Sequence, residues 1–162
     1  AKKEIEECKQ LGKRPKHRGL LKSNPDVEEA KKHLAKAEHN FSGITRFKEI
    51  GFSDWSISAG FYCAYHCFLA IAAKFGYESA NQTCTVSLIR FLKEKNKIKL
   101  EEKFIELLEY EKVENARDDS VIDLREDYTY GVQISIKDET KLDDLKKRCK
   151  ELIDITKQIV YE

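Results

Sequence analysis

The sequence predicts an all-α protein: an up-and-down bundle of four main helices with one additional short helix. Two apolar stripes with alternating spacings of three and four residues flank a segment that is apolar in nearly every direction, a pattern typical of helices packed around a central one. Only 7 Gly and 2 Pro occur in 162 residues, which disfavours a turn-rich β fold. We expect a helical domain over residues 25–162, preceded by a basic arm or linker over residues 1–24.

The first main helix follows a start signal. Asn24 is predicted to cap it, Pro25 suits its first turn, and acidic residues follow at once. Its apolar stripe consists of Val27, Ala30, Leu34, Ala37, Phe41 and Ile44. Gly51 is expected to end it.

The second main helix is predicted from Ser53 to about Phe75, with Gly76 as its end signal. Its large side chains point in nearly every direction around the axis: Trp55, Ile57, Phe61, Tyr62, Tyr65, Phe68, Leu69, Ile71 and Phe75. A helix that is apolar all round is buried on all sides. This helix is therefore either the centre of the bundle or the contributor of a second apolar face to a dimer.

The remaining elements are less regular until the last one. A short helix is predicted over residues 86–95 and a third main helix over residues 100–126, followed by a turn and an extended piece over residues 127–137. The last helix is predicted from Asp138, with a stripe of Leu142, Leu145, Cys149, Leu152, Thr156 and Ile159. This stripe has the same period as that of the first main helix.

Charge and cysteine content restrict the class of protein. The net charge is +1 and 36% of the residues are charged, which indicates a soluble globular domain without a global field for nucleic acid. No stretch of about 18 uncharged apolar residues occurs, so we expect no membrane span. The charged N-terminal stretch lacks the apolar core of a secretory signal. Five cysteines without framework spacing favour reduced thiols in a cytoplasmic protein.

Cys63, His66 and Cys67 fall within five positions of the second helix and suggest three kinds of site. Cys63 and Cys67 share a helix face while His66 lies to the side, and the other cysteines and histidines offer no second closely spaced motif, so we expect no metal site. No Cys-x-x-Cys or Gly-rich phosphate loop occurs, and we expect no cofactor. The two thiols are predicted as core residues, and His66 as either a core histidine or a general base.

A second polar cluster, NARDDSVIDLREDYTYG, covers residues 115–131. It contains two arginines, five acidic residues and two tyrosines. It can be a solvated helix end with ion pairs at i, i+4. However, Arg117, Leu124 and Tyr128 lie at spacings of seven and four, which places part of the cluster against the bundle. An arginine at a core or interface generally has a partner.

These segments together resemble the HEPN superfamily. The resemblance rests on a capped first helix with an alanine-rich stripe, a second helix that reads SDW and then AGFYCAYH, and a later LREDYTYG. It covers roughly residues 25–160. Arg125, Asp127 and Tyr128 are similar to that family's Arg-x-x-Ala-Asp-Tyr variant, with Glu126 at the position of the alanine.

The resemblance implies a fold, a partner and an activity to test. HEPN domains are mostly dimers, many are metal-independent RNases of toxin or defence systems, and some accompany a minimal nucleotidyltransferase. The RNase signature is Arg, four to six residues, then His, and neither Arg117 nor Arg125 is followed by such a His. The four histidines all lie earlier, at 17, 33, 39 and 66. The residues expected to bind a ligand are Arg117, Arg125, Asp127, Tyr128 and Tyr130.

Three functions therefore stay open. The first is a non-catalytic HEPN-type module that dimerises and binds nucleotide, RNA or a protein partner such as a nucleotidyltransferase. The second is a divergent RNase that uses Arg125, Tyr128 and His66, and the third is a purely structural bundle. The basic arm can contact RNA or serve as a solvated connector. Its candidate RNA-contacting residues are Lys13, Arg14, Lys16 and Arg18.

Overall fold

The computed structural model describes residues 2–13, 19–109, 125, 131–132, 135–136 and 139–162. Within these residues the chain forms six helices and one pair of short antiparallel strands, which confirms the predicted helical class. The elements are α1 (Lys2–Gly12), β1 (Leu20–Lys22), α2 (Val27–Glu49), α3 (Ser53–Lys74), β2 (Tyr77–Ser79), α4 (Gln82–Glu94), α5 (Glu102–Glu106) and α6 (Glu139–Tyr161).

Helix α3 is the centre of the bundle, as its apolar surface predicts. Helices α2, α4 and α6 all pack against it. Its fully buried large side chains are Ile57, Phe68 and Ile71, and the α2 and α6 stripes supply Ala30, Leu34, Ile44, Leu142, Leu145 and Leu152. Burying each large side chain contributes roughly 1.5–3 kcal/mol, so these stripes hold the bundle together.

Helices α2 and α3 form an antiparallel hairpin with small residues at their contact. The buried Ser56 hydroxyl donates a 2.7 Å hydrogen bond to the Ile44 carbonyl oxygen. Near the same crossing, an added Cβ on Gly43 would lie 3.4 Å from the Cβ of Ala59. Close approach of the two backbones fixes the register of the hairpin, and this register decides which α3 side chains remain at the surface.

Within the predicted N-terminal arm, residues 1–24, the described helix α1 and strand β1 each pack on the rest of the protein through one side. Ile5 and Cys8 lie one turn apart on α1 and are buried. Strand β1 pairs antiparallel with β2, with Leu20 opposite Ser79 and Lys22 opposite Tyr77. Of the four predicted RNA-contacting residues only Lys13 is described, and it is exposed. Arg14, Lys16 and Arg18 lie outside the described residues.

One disulfide corrects the expectation that all five thiols are reduced. Cys8 of α1 and Cys84 of α4 are joined, with their Cα atoms 5.7 Å apart. The other three cysteines, Cys63, Cys67 and Cys149, are free and buried, as predicted for core thiols. The sequence gives no sign of the pairing because 76 residues separate the two cysteines. Only the return of α1 onto α4 brings them together.

Several predicted boundaries shift. The N-cap of α2 is Asp26, whose side chain accepts a 2.9 Å hydrogen bond from Glu29 N, and not Asn24. The helix predicted over residues 100–126 begins as the five-residue α5 and then turns at residues 107–108. Residues 110–124 lie outside the described residues. Four apolar residues at nearly consecutive positions, Phe104, Ile105, Leu107 and Leu108, are buried there, which a single helical stripe does not achieve.

Contrary to the expectation that no stretch of the chain is sufficient, helix α3 is long and apolar enough to cross a membrane by length and composition alone. Its most apolar window is 67% buried within the bundle. The same test is passed by core helices of bundles, and the packing of α2, α4 and α6 around α3 is that of a core helix.

Candidate functional site

The predicted ligand-binding cluster is represented in the structure by Arg125 alone. Its guanidinium carbon lies 4.6 Å from the centre of the Phe61 ring of α3, within the range of a cation–π interaction. Its Nε is buried and has no acceptor among the described residues. Arg117, Asp127, Tyr128 and Tyr130 lie outside the described residues.

His66, the predicted general base, contacts a second histidine. His66 Nδ1 lies 3.1 Å from His33 Nδ1 on α2, and the two ring centres are 5.3 Å apart. A hydrogen bond between these two atoms requires a proton on one nitrogen and a lone pair on the other. The pair therefore holds at most one proton between its facing nitrogens.

Arg125 packs on one face of α3, and His66 projects from a different face of the same helix. Arg125 stacks on Phe61, and Phe61 and His66 are five residues apart, which is a rotation of about 140° around a helix. An RNase site needs the arginine and the proton-transfer group at one phosphate. The described geometry does not bring these two candidates together.

Burial governs the charge of the histidine pair. Burial lowers the pKa of His66 from 6.5 to about 4, and the nearby charges of His33 and Lys36 act in the same direction. Burial also lowers the pKa of His33, while Glu29, whose carboxylate is 3.9 Å from His33 Nε2, opposes the shift. Both imidazoles are neutral near pH 7.

This pair predicts a pH-dependent stability. The unfolded His66 side chain titrates near 6.5 and the folded one near 4, so the unfolded state binds more protons between these values. The contribution of the neutral His66 to the free energy of unfolding should therefore be fully present above pH 6.5. It should be lost as the pH falls toward 4. We expect a larger fall in Tm between pH 7 and pH 5 for the wild type than for His66→Gln.

The exposed His39 provides the matched control, since it lies on α2 outside this pair. His39→Gln should keep the wild-type pH dependence. Equal pH dependence in the wild type and His66→Gln would show that the pair does not titrate as described.

The three free cysteines form a thiol cluster in the core. The contact with the Cys149 thiol raises the pKa of Cys63, and the contact with Cys63 raises the pKa of Cys67, in both cases together with burial. Cys63 and Cys67 therefore stay protonated and unreactive at neutral pH. In the part of the chain that the structure describes, no group of three or more His, Cys, Asp or Glu side chains could hold a metal ion.

Sequence reasoning left open an exposed apolar surface on α3, and the structure places one at the corner between α2 and α3. Four large apolar side chains there are solvent-exposed, and we call them the apolar patch: Ile50 (66%), Phe52 (52%), Trp55 (50%) and Tyr62 (45%). Trp55 and Tyr62 belong to the all-round apolar surface of α3, and the alternative of a second apolar face already included them. An apolar cluster at the surface marks an interaction site more often than a packing defect.

The apolar patch borders an open groove of about 450 Å³ between α2 and α3. We call it the aromatic groove. Helix α2 contributes His39, Asn40, Arg46 and Phe47 to its walls, and α3 contributes Trp55, Ser58 and Tyr62. Its volume fits a side chain from another protein or a ring of nucleobase size. Arg46 is the cation among these side chains, so the groove suits aromatic or anionic groups.

Comparison with known proteins identifies one family. The family model described as the HEPN domain matches residues 30–160. No curated protein matches the chain. The matched range runs from the first turn of α2 to the last turn of α6, includes the histidine pair and the aromatic groove, and begins after α1 and β1.

Proposed function

The chain belongs to the HEPN domain family, and we propose that it is a non-catalytic HEPN-type module that dimerises and binds nucleotide, RNA or a protein partner. The apolar patch carries this proposal. Trp and Tyr are enriched at the energetic centres of protein interfaces, and two of the four patch residues are of these types. A second copy of the chain is the occupant we assign to the patch.

Three observations support a non-catalytic module. The sequence has no Arg-x4–6-His signature, since all four histidines precede Arg117 and Arg125. His66 is engaged with His33, and Arg125 contacts another face of α3. A neutral histidine held by another histidine is a weak candidate for the proton transfers of RNA cleavage.

The direct test of dimerisation is the molar mass in solution. Sedimentation velocity at increasing protein concentration should show a species of twice the 18.8 kDa chain mass. Trp55 is the single tryptophan, so its emission should shift to the blue as the dimer forms and covers the patch. A monomer at every concentration, with unchanged emission, would contradict the proposal.

Nucleotide binding is the second candidate, favoured by Arg46 among the aromatic walls of the groove. AMP is a suitable probe. Quenching of Trp55 by AMP without a change in molar mass would assign the groove to a small ligand instead of a second copy.

A nucleotidyltransferase-type protein partner and a toxin–antitoxin setting stay predictions, as does a cytoplasmic location.

The divergent RNase is tested by a cleavage assay on mixed cellular RNA with a chelator present. We expect the wild type to show no metal-independent cleavage that Arg125→Ala could remove. The reason is that the described geometry does not place an arginine and a histidine at the same phosphate. Cleavage by the wild type that disappears in Arg125→Ala would make the chain an RNase and would refute the proposal of a non-catalytic module.

A further inference from the structure

The Cys8–Cys84 disulfide joins an added element to the family's fold. Cys8 lies in α1, and α1 and β1 both precede the matched range of residues 30–160. Cys84 lies in α4, inside that range. The disulfide is therefore a second covalent connection, besides the backbone, between the HEPN bundle and the N-terminal unit, which we define as residues 2–13 and 19–22.

The noncovalent contacts that hold α1 in place come from one of its faces. Its buried residues are Ile5, Cys8 and Gly12, and most of its other side chains are exposed. It packs against α4 and β1. A helix of 11 residues is marginal in isolation, so its folded state depends on this docking. Loss of the disulfide would remove the covalent restraint that ties α1 to α4.

The local chemistry at Cys84 favours thiol exchange. Cys84 is in the first turn of α4, and its backbone N donates a 3.1 Å hydrogen bond to the capping Asn81 Oδ1. The N-terminal end of a helix stabilises negative charge, so the Cys84 sulfur is a good leaving group as a thiolate. Both sulfurs are buried while α1 is docked, at 6% exposure for Cys8 and 2% for Cys84. A reductant therefore reaches them when α1 opens.

We propose that the Cys8–Cys84 disulfide is a redox latch for α1. A dithiol reductant attacks Cys8 Sγ as a thiolate, the S–S bond breaks, and Cys84 leaves as a thiolate that takes up a proton. The second thiol of the reductant then displaces Cys8 from the mixed disulfide, and Cys8 also ends as a thiol. The protein gains two electrons and two protons, and the reductant becomes a disulfide.

The latch has a defined structural consequence. In the oxidised form α1 covers the first turn of α4. In the reduced form α1 undocks, exposes Ile5 and uncovers Cys84, while the α2–α3–α6 bundle stays folded. The bundle keeps its fold because α1 packs mainly against α4 and β1, whereas α2 and α6 pack directly on α3.

Hydrogen exchange of the oxidised and dithiothreitol-reduced chain tests this proposal. Reduction should accelerate exchange of the α1 amides by on the order of tenfold or more, with no change in α2, α3 and α6. Unchanged exchange in α1 would overturn the latch, as would loss of protection in all helices together. Free Cys8 and Cys84 thiols in the unreduced chain, detected by alkylation and mass spectrometry, would also overturn it.

Two α1 variants separate opening of α1 from general effects on the chain. Ile5→Ala removes a buried side chain of α1, so reduction by dithiothreitol should become on the order of tenfold faster. Glu7→Ala alters an exposed residue on the other side of the same helix and should leave the rate unchanged. Equal rates in the two variants would show that reduction does not require α1 to open.

Discussion

Replacing both Trp55 and Tyr62 with alanine should weaken dimerisation by on the order of a hundredfold or more, because each is a large aromatic residue at the centre of the apolar patch. Both side chains are half-exposed in the single chain, so the double variant should fold normally, with a free energy of unfolding within about 0.5 kcal/mol per site of the wild type. Sedimentation velocity gives the dissociation constant, and denaturant unfolding gives the stability.

Tyr161 provides the control for this variant. It is a tyrosine of α6 with 64% exposure, and it lies outside the apolar patch. Tyr161→Ala removes exposed aromatic surface of similar size and should leave the dimer unchanged. If Tyr161→Ala weakens association as much as the double variant, the interface does not centre on the patch.

Gly60→Ala should destabilise the bundle by about 1–3 kcal/mol, although alanine is the better helix former. Gly60 lies on the face of α3 against α6, where an added Cβ would come within 2.6 Å of Leu145 Cδ2 and 2.9 Å of its Cγ. Leu145 is itself buried and cannot move aside freely. The Gly60 carbonyl oxygen also accepts a 3.5 Å hydrogen bond from the Cys149 thiol of α6. A methyl group must therefore push α6 away from α3.

Gly43→Ala is the matched control, since Gly43 is also a glycine inside a long helix. Its added Cβ would make an ordinary 3.4 Å contact with the Cβ of Ala59. This variant should be neutral or more stable by up to about 1 kcal/mol, from helix propensity alone. Denaturant unfolding of both variants measures the difference. Equal stabilities would show that the α3–α6 contact is looser than described.

Hydrophobic periodicity predicted the elements of the bundle well. The stripes of α2 and α6 are buried except for the exposed Val27 and the partly buried Phe41 and Ile159, because side chains three and four residues apart share a helix face. Helix α3 is the central helix, as predicted. Periodicity was less informative over residues 100–126. There a short helix and a turn bury two pairs of adjacent residues, Phe104 with Ile105 and Leu107 with Leu108, which a single stripe does not predict.

The candidate site was harder to predict than the fold. The sequence placed Trp55 and Tyr62 on an all-round apolar helix, and their exposure depends on where α2 ends and how closely Gly43 approaches Ala59. Likewise, His66 was recognised as a candidate base, but its partner His33 lies 33 residues earlier on another helix. No local pattern encodes such a pairing.

The sequence by itself determined the helical class, the central helix, the HEPN resemblance and the absence of the Arg-x4–6-His signature. These properties depend on residue types at short spacings, which helix geometry converts directly into faces. Only the tertiary structure decided the Cys8–Cys84 disulfide, the His33–His66 pair and the surface position of the apolar patch. Each of these depends on which segments meet after folding, and side-chain packing between distant segments settles that.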